Sequence, residues 1–193
     1  MSEKTIISTG LSKWCGAGGW RLGYFIIPET LNNLNKMINV LASETFSAVS
    51  APIQYAAIKA YENNHTNYIK KSKNILSAVG NYVYSNLKSN KILINKPNGG
   101  FYLMPEFLNN KYKTSSEMCN SILMETGVAL LPGSDFGFSS NKMLARLSFT
   151  DFNGQKFMDA IEDNSIIDNE TITRLAPKVV EGVEKLKKWS ESL

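Results

Sequence analysis

Lys13 sits in the run Gly10-Leu11-Ser12-Lys13-Trp14-Cys15-Gly16-Ala17-Gly18-Gly19-Trp20-Arg21-Leu22-Gly23. A primary amine beside small residues has room to condense with a small carbonyl compound. An arginine eight positions on, across a glycine-rich turn, offers a planar fork of donors for that compound's phosphate. To react, the amine must be neutral and accessible, and the charge of Arg21 favours the neutral form. Ser12 and Thr9 can add hydroxyl donors to the same anion. Arg146 stands apart, inside the apolar run Leu144-Ala145-Arg146-Leu147-Ser148-Phe149. Burying a guanidinium there is costly unless it meets an anion, and either a bound ligand or an internal Asp or Glu would serve. The glycines do not make a dinucleotide loop, because they lead into an apolar strand-like run and not a helix.

The elements that must hold these residues can be read from hydrophobic period and turn chemistry. Thr5-Ile6-Ile7-Ser8-Thr9 reads as a strand entering the lysine loop, and the run from Trp20 to Ile27 as a buried strand leaving it. Leu31, Leu34, Ile38 and Leu41 then repeat at helical steps after Pro28, up to the break at Ala51-Pro52. A short alanine-rich helix spans Gln54 to Tyr61. A longer one carries the stripe Ile69, Ser72, Leu76, Val79, Val83 and Leu87. Beyond Asn90, Ile92–Ile94 and Gly100–Met104 read as strands around the turn Pro97-Asn98-Gly99. Thr114-Ser115-Ser116-Glu117 is a capping box opening a helix with Met118, Cys119, Ile122 and Leu123. Val128–Leu131 and Leu144–Phe149 are further strands, Gln155–Asp163 is a short helix, and a terminal helix faces the core with Ile172, Leu175, Val179, Val183 and Leu186. Glu181 and Lys185 form a favourable helical pair.

Composition narrows the class. The 193 residues, 43% hydrophobic and 20% charged, suit a soluble globular protein with one substantial core. The net charge of +4 is mild, and its densest cluster, Lys185, Lys187 and Lys188, lies beside glutamates on a helix, so nucleic acid is not an expected partner. Cys15, Cys119 and the single His65 make neither a disulfide framework nor a metal site. His65 reads as a surface residue. No apolar run approaches the ~20 residues that span a bilayer, and Met1–Ile7 lacks a signal peptide's core. A cytoplasmic protein without membrane partners is expected.

The lysine run resembles the pyridoxal-phosphate attachment site of the class I and II aminotransferases, within fold type I, at every restricted position from Gly10 to Gly23. Gly99-Gly100-Phe101-Tyr102 is similar to a strand that walls the family's active site, and Pro132-Gly133-Ser134-Asp135-Phe136-Gly137 to the loop before its carboxylate-binding arginine. The resemblance implies an α/β fold, namely a remnant of the large domain's parallel sheet with connecting helices in residues 1–90, and a small C-terminal α+β domain in residues 91–193. It implies pyridoxal 5'-phosphate as cofactor, held as a Schiff base on Lys13, with Arg21, Ser12 and Thr9 at its phosphate. Gly10 stands where many relatives carry a serine, so one family contact to that phosphate is expected to be missing. Ser50 is similar to a position that reaches across a homodimer interface toward the partner's phosphate. Arg146 would clasp the substrate carboxylate, and Lys13 would move the proton during amino transfer between an amino acid and a 2-oxo acid.

In the family the cofactor lysine lies past the middle of the chain; here only twelve residues precede Lys13. The resemblance therefore implies a C-terminal part whose catalysis needs the other half of the site. It leaves two alternatives: a non-catalytic fragment or interaction module of the same family, or a sister pyridoxal enzyme such as an acyltransferase or carbon–sulfur lyase. With so little of the sheet, exposed packing faces and association are expected.

Overall fold

A computed structural model describes residues 3–46, 48–109, 111–162 and 165–193. The chain divides into two compact units, one ending at Thr66 and the other running from Asn67 to Leu193.

In the first unit, β1 (Ile7–Gly10) and β2 (Gly23–Ile26) pair antiparallel, from Ile7 opposite Ile26 to Gly10 opposite Gly23. The loop between them carries Lys13 and returns the chain alongside itself. Where a remnant of a parallel sheet was expected, the two strands present thus form an antiparallel pair. Gly10 is dictated by close approach: a Cβ there would lie 2.5 Å from the Leu22 carbonyl oxygen. A 3₁₀ turn, Gly18–Trp20, brings the chain into β2. The expectation that β2 is buried is corrected. Tyr24, Phe25 and Ile26 are all exposed, Phe25 at 60%, because a strand's apolar side chains are buried only where another layer covers that face of the sheet.

Pro28 opens a second 3₁₀ turn, Glu29–Leu31, which leads into α1 (Asn32–Thr45). Helix α2 (Ala51–Glu62) starts at Ser50, with Pro52 in its first turn, where its missing N–H costs nothing. The apolar side of α1 is largely uncovered, and Met37, Val40 and Leu41 are exposed. Leu11 and Ala57 are the buried apolar residues among the described part of this unit.

The second unit begins one residue into α3 (Thr66–Leu87), which buries Ile75, Val79, Gly80, Val83 and Leu87. This stripe is the spine of the main core. It is shifted from the expected one: Ile75 is buried where Ile69 is exposed. Gly80 admits the Phe149 ring, since a Cβ there would meet Phe149 Cζ at 2.9 Å. Because α3 packs against the strands and helices C-terminal to it, the units divide at its start, whereas the boundary expected near Asn90 falls just after its end.

Strands β3 (Ile92–Leu93) and β5 (Glu106–Phe107) pair with each other, while β4 (Tyr102–Leu103) pairs with β7 (Ala145–Ser148) and β7 also with β6 (Leu131–Pro132). All are antiparallel, and the three-stranded sheet has the order β4-β7-β6. The two apolar runs flanking Pro97–Gly99 are therefore not partners; each finds its mate farther along the chain. Helix α4 (Ser115–Thr126) has the expected cap, with Thr114 accepting from the Glu117 amide at 3.2 Å. The Glu117 carboxylate in turn accepts from the Lys113 amide at 3.0 Å.

After α5 (Gly154–Ala160), the expected single terminal helix is two, α6 (Asn169–Leu175) and α7 (Pro177–Glu191). Pro177 cannot donate to the preceding turn, so the chain restarts there. The Asp163 end of the expected short helix lies outside the described residues. Asp168 caps α6 by accepting from Thr171 N at 2.8 Å, and this bond holds its carboxyl below the usual range. On α7, Glu181 and Lys185 pair at 2.7 Å. Trp189 closes the core against Phe107 and donates to Glu125 at 3.0 Å. Among the described residues, no helix is long and apolar enough to cross a membrane.

Candidate functional site

The hairpin loop builds a concavity of about 490 Å³ in the first unit, lined by Thr9, Ser12, Lys13, Trp14 and Arg21 together with Ser8, Gly10, Leu22 and Gly23. Four of the six residues singled out from sequence thus meet in one place. Lys13 is exposed and Ser12 half-buried. Arg21 has φ 52°, the left-handed region, and is the one non-glycine residue there among those described. Its Nη1 donates to the Gly18 carbonyl at 2.7 Å, which returns the guanidinium toward the glycine turn. That backbone conformation costs on the order of 1 kcal/mol or more in a residue with a Cβ, so the hairpin must hold Arg21 in place. The loop is tied further by Cys15, whose Sγ lies 3.0 Å from the Leu11 carbonyl. The tight contact at Gly10 shows why no side-chain hydroxyl could stand there without parting the strands.

Aromatic packing anchors the loop to the end of α2. The Trp14 ring lies 5.6 Å from Tyr61 and 5.5 Å from His65, and Tyr24 meets Tyr61 edge-on at 5.7 Å. His65 is thus no surface residue: it is half-buried, and its Nε2 is 2.7 Å from the Ala60 carbonyl. Its packing was invisible in sequence because Trp14 comes from a loop far earlier in the chain. The Tyr24 phenol is raised above its ordinary value, first by its hydrogen bond to Tyr61.

Ser50 does not line the concavity. It is the exposed N-cap of α2, and its carbonyl, not its hydroxyl, accepts from Ile53 and Gln54 at 3.0 and 3.1 Å.

Arg146 belongs to the second unit, on β7 opposite Leu131. Its neighbours Ala145 and Leu147 point into the core, while Arg146 is half-buried on the other face. The guanidinium carbon lies 4.5 Å from the Tyr102 ring centroid and 4.4 Å from that of Phe136. Of the two readings left open from sequence, the internal carboxylate pair is not the arrangement found: among the described residues no ion pair reaches Arg146. Aromatic faces hold it instead. The other thiol, Cys119, is buried on α4, where desolvation pushes it up to about 11.

Comparison with known proteins gives the family. The family described as aminotransferase class I and II matches residues 1–161. The aspartate aminotransferase of Sulfolobus acidocaldarius is 30% identical over 149 residues, 75% of this chain and 36% of that protein. The asparagine–oxo-acid transaminase of Streptococcus mutans is 32% identical over 149 residues, 74% of this chain and 37% of that protein. Among solved structures, the alanine aminotransferase of Pyrococcus furiosus superposes with a TM-score of 0.71 at 26% identity, covering 97% of this chain and 42% of its own. The aspartate aminotransferase of Thermotoga maritima gives 0.67 at 25% identity, with 96% and 40% covered. The chain spans little more than a third of the length of the curated relatives it matches. With its lysine loop, its mixed fold and its match over most of the sequence, the chain belongs to the class I and II aminotransferases.

Proposed function

We propose that this chain carries the cofactor lysine and the substrate-carboxylate arginine of a pyridoxal-phosphate-dependent aminotransferase, which moves an amino group between an amino acid and a 2-oxo acid. The observation that carries the reading is the meeting of Lys13, Arg21, Ser12 and Thr9 around one concavity, inside the stretch that the family matches. The family's cofactor fits that donor set: an amine for its carbonyl, and a guanidinium with two hydroxyls for its phosphate. Among the described residues lining the concavity there is no carboxylate to face a ring nitrogen, so this loop supplies the amine and phosphate side of the site.

When bound, pyridoxal phosphate supplies a conjugated ring that takes up the electron pair left by the substrate's α-proton. Lys13 Nζ is the group that holds and returns that proton as general base and acid. Arg21 positions the phosphate with the Thr9 and Ser12 hydroxyls. Arg146 fixes the substrate carboxylate and thereby its orientation. The same reading takes the protein as a cytoplasmic homodimer in which Ser50 serves the partner copy's phosphate.

The test is titration of the purified chain with pyridoxal phosphate, followed by visible absorption. A new band is expected in the wild type and not in Lys13→Ala. Arg21→Ala should keep the band with affinity about tenfold or more weaker, since a hydrogen bond to a charged group contributes about 1.5–3 kcal/mol. Either no band in the wild type, or the same band in Lys13→Ala, would overturn the assignment of Lys13.

A further inference from the structure

We infer that Phe136 and Tyr102 are positioning residues: together they clamp the Arg146 guanidinium over its faces and leave its in-plane N–H donors for an incoming carboxylate. The inference rests on the carboxylate role proposed for Arg146 and adds what makes that arginine competent.

A half-buried arginine on a strand is ordinarily stabilised by an acidic partner, which would occupy the donors needed for a ligand. Here the stabilising groups are rings at 4.4 and 4.5 Å from the guanidinium carbon. A ring face attracts the cation through its quadrupole but accepts nothing in the guanidinium plane. The charge therefore remains uncompensated by any ion pair among the described residues, and a planar anion approaching edge-on finds a fixed fork. Holding the side chain in one orientation removes ordering entropy that binding would otherwise have to overcome.

The backbone shows how each ring is delivered. Tyr102 lies on β4 opposite Ser148 of β7, which is two residues beyond Arg146 on the same strand. Phe136 closes the 3₁₀ turn Gly133–Phe136, and that turn is pressed against the start of β7. Gly133 N donates to the Leu144 carbonyl at 2.7 Å, and a Cβ on Gly133 would lie 2.9 Å from that oxygen. Gly137, at φ 82°, turns the chain away immediately after the ring. Phe136 is 40% exposed, so the core does not explain its placement.

The experiment uses the full chain, with the Arg146 Nε–H signal followed by NMR, assigned from its loss in Arg146→Lys, while acetate is added against a chloride control. The wild type should show a saturable, acetate-specific shift. Phe136→Leu and Tyr102→Leu should weaken acetate binding about threefold to tenfold, the scale of one cation–π contact. Phe136→Tyr and Tyr102→Phe, which keep a ring, should restore it, and Phe136→Leu should leave the melting temperature nearly unchanged. No acetate shift in the wild type would overturn the carboxylate role itself. Normal affinity in both leucine variants, or a loss that the ring-retaining variants do not restore, would overturn the clamp alone.

Discussion

The two units of this chain use the same kinds of residue to different ends. The second unit buries a continuous apolar cluster running from Ile75 on α3 to Trp189 on α7. The first unit buries Leu11 and Ala57 among its described apolar residues, and exposes Phe25, Met37, Val40, Leu41 and Phe46. A core of the second kind carries cooperative stability of its own, whereas a hairpin and two amphipathic helices with open faces have little burial to offset their ordering entropy. Lys13 lies in the weakly cored unit, and Arg146 in the strongly cored one. Precision at Lys13 is therefore held by local devices: the Gly10 approach, the left-handed Arg21 and the Trp14–Tyr61–His65 contacts. Precision at Arg146 is held by the sheet.

The largest expected effect breaks this comparison at its core. Phe157 is fully buried, so Phe157→Ala should lower unfolding stability by about 3–5 kcal/mol, read by urea titration of the main transition. Phe25→Ala should stay within about 0.5 kcal/mol, as surface changes do. Equal losses would show that the first unit has a core after all.

The two glycines pressed against a backbone carbonyl, Gly133 and Gly10, give the next effect. Gly133→Ala forces a Cβ against the Leu144 carbonyl and should cost about 1–3 kcal/mol in the same transition. Gly10→Ala meets the Leu22 carbonyl more closely still, yet it should leave that transition in place. Its effect should be faster amide exchange across β1 and β2.

Smaller is the cap of α4: Thr114→Ala should cost about 1 kcal/mol, again in the main transition. The smallest effect concerns the thiols. With its folded value raised from 9.0 to about 11, the Cys119 thiol favours the folded state fully below pH 9, and this contribution is lost as pH rises from 9 toward 11. At pH 8 iodoacetamide should therefore label half-buried Cys15 well before Cys119, with mass spectrometry of the peptides as the readout. Faster labelling of Cys119 would mean that the second unit opens more readily than its core implies.

Much of the candidate site was legible in the chain because it is local. Thr9, Ser12, Lys13 and Arg21 lie within one hairpin, and the hairpin arises from two short apolar runs around a glycine-rich loop. The Thr114 capping box was legible for the same reason. The unreadable features depend on partners distant in sequence. Two-residue strands such as Glu106–Phe107 have no periodicity, and tertiary pairing alone makes them strands. The exposure of β2 depends on what covers a sheet, not on its own residues. Pro177 was a visible breaker inside the stripe Ile172–Leu186, but the apolar period outweighed it. The contacts of His65 with Trp14, and of Arg146 with Phe136 and Tyr102, act through space, and no spacing rule announces them.

The central claim is that Lys13, alone among the lysines, is set to condense with a carbonyl cofactor. Its most direct test is to incubate the chain with stoichiometric pyridoxal phosphate, reduce with borohydride, and map the adduct by peptide mass spectrometry. The account predicts the reduced adduct on Lys13, with little elsewhere, and its loss in Lys13→Ala. Adduct spread across surface lysines such as Lys36, Lys142 and Lys187, with no preference for Lys13, would contradict it.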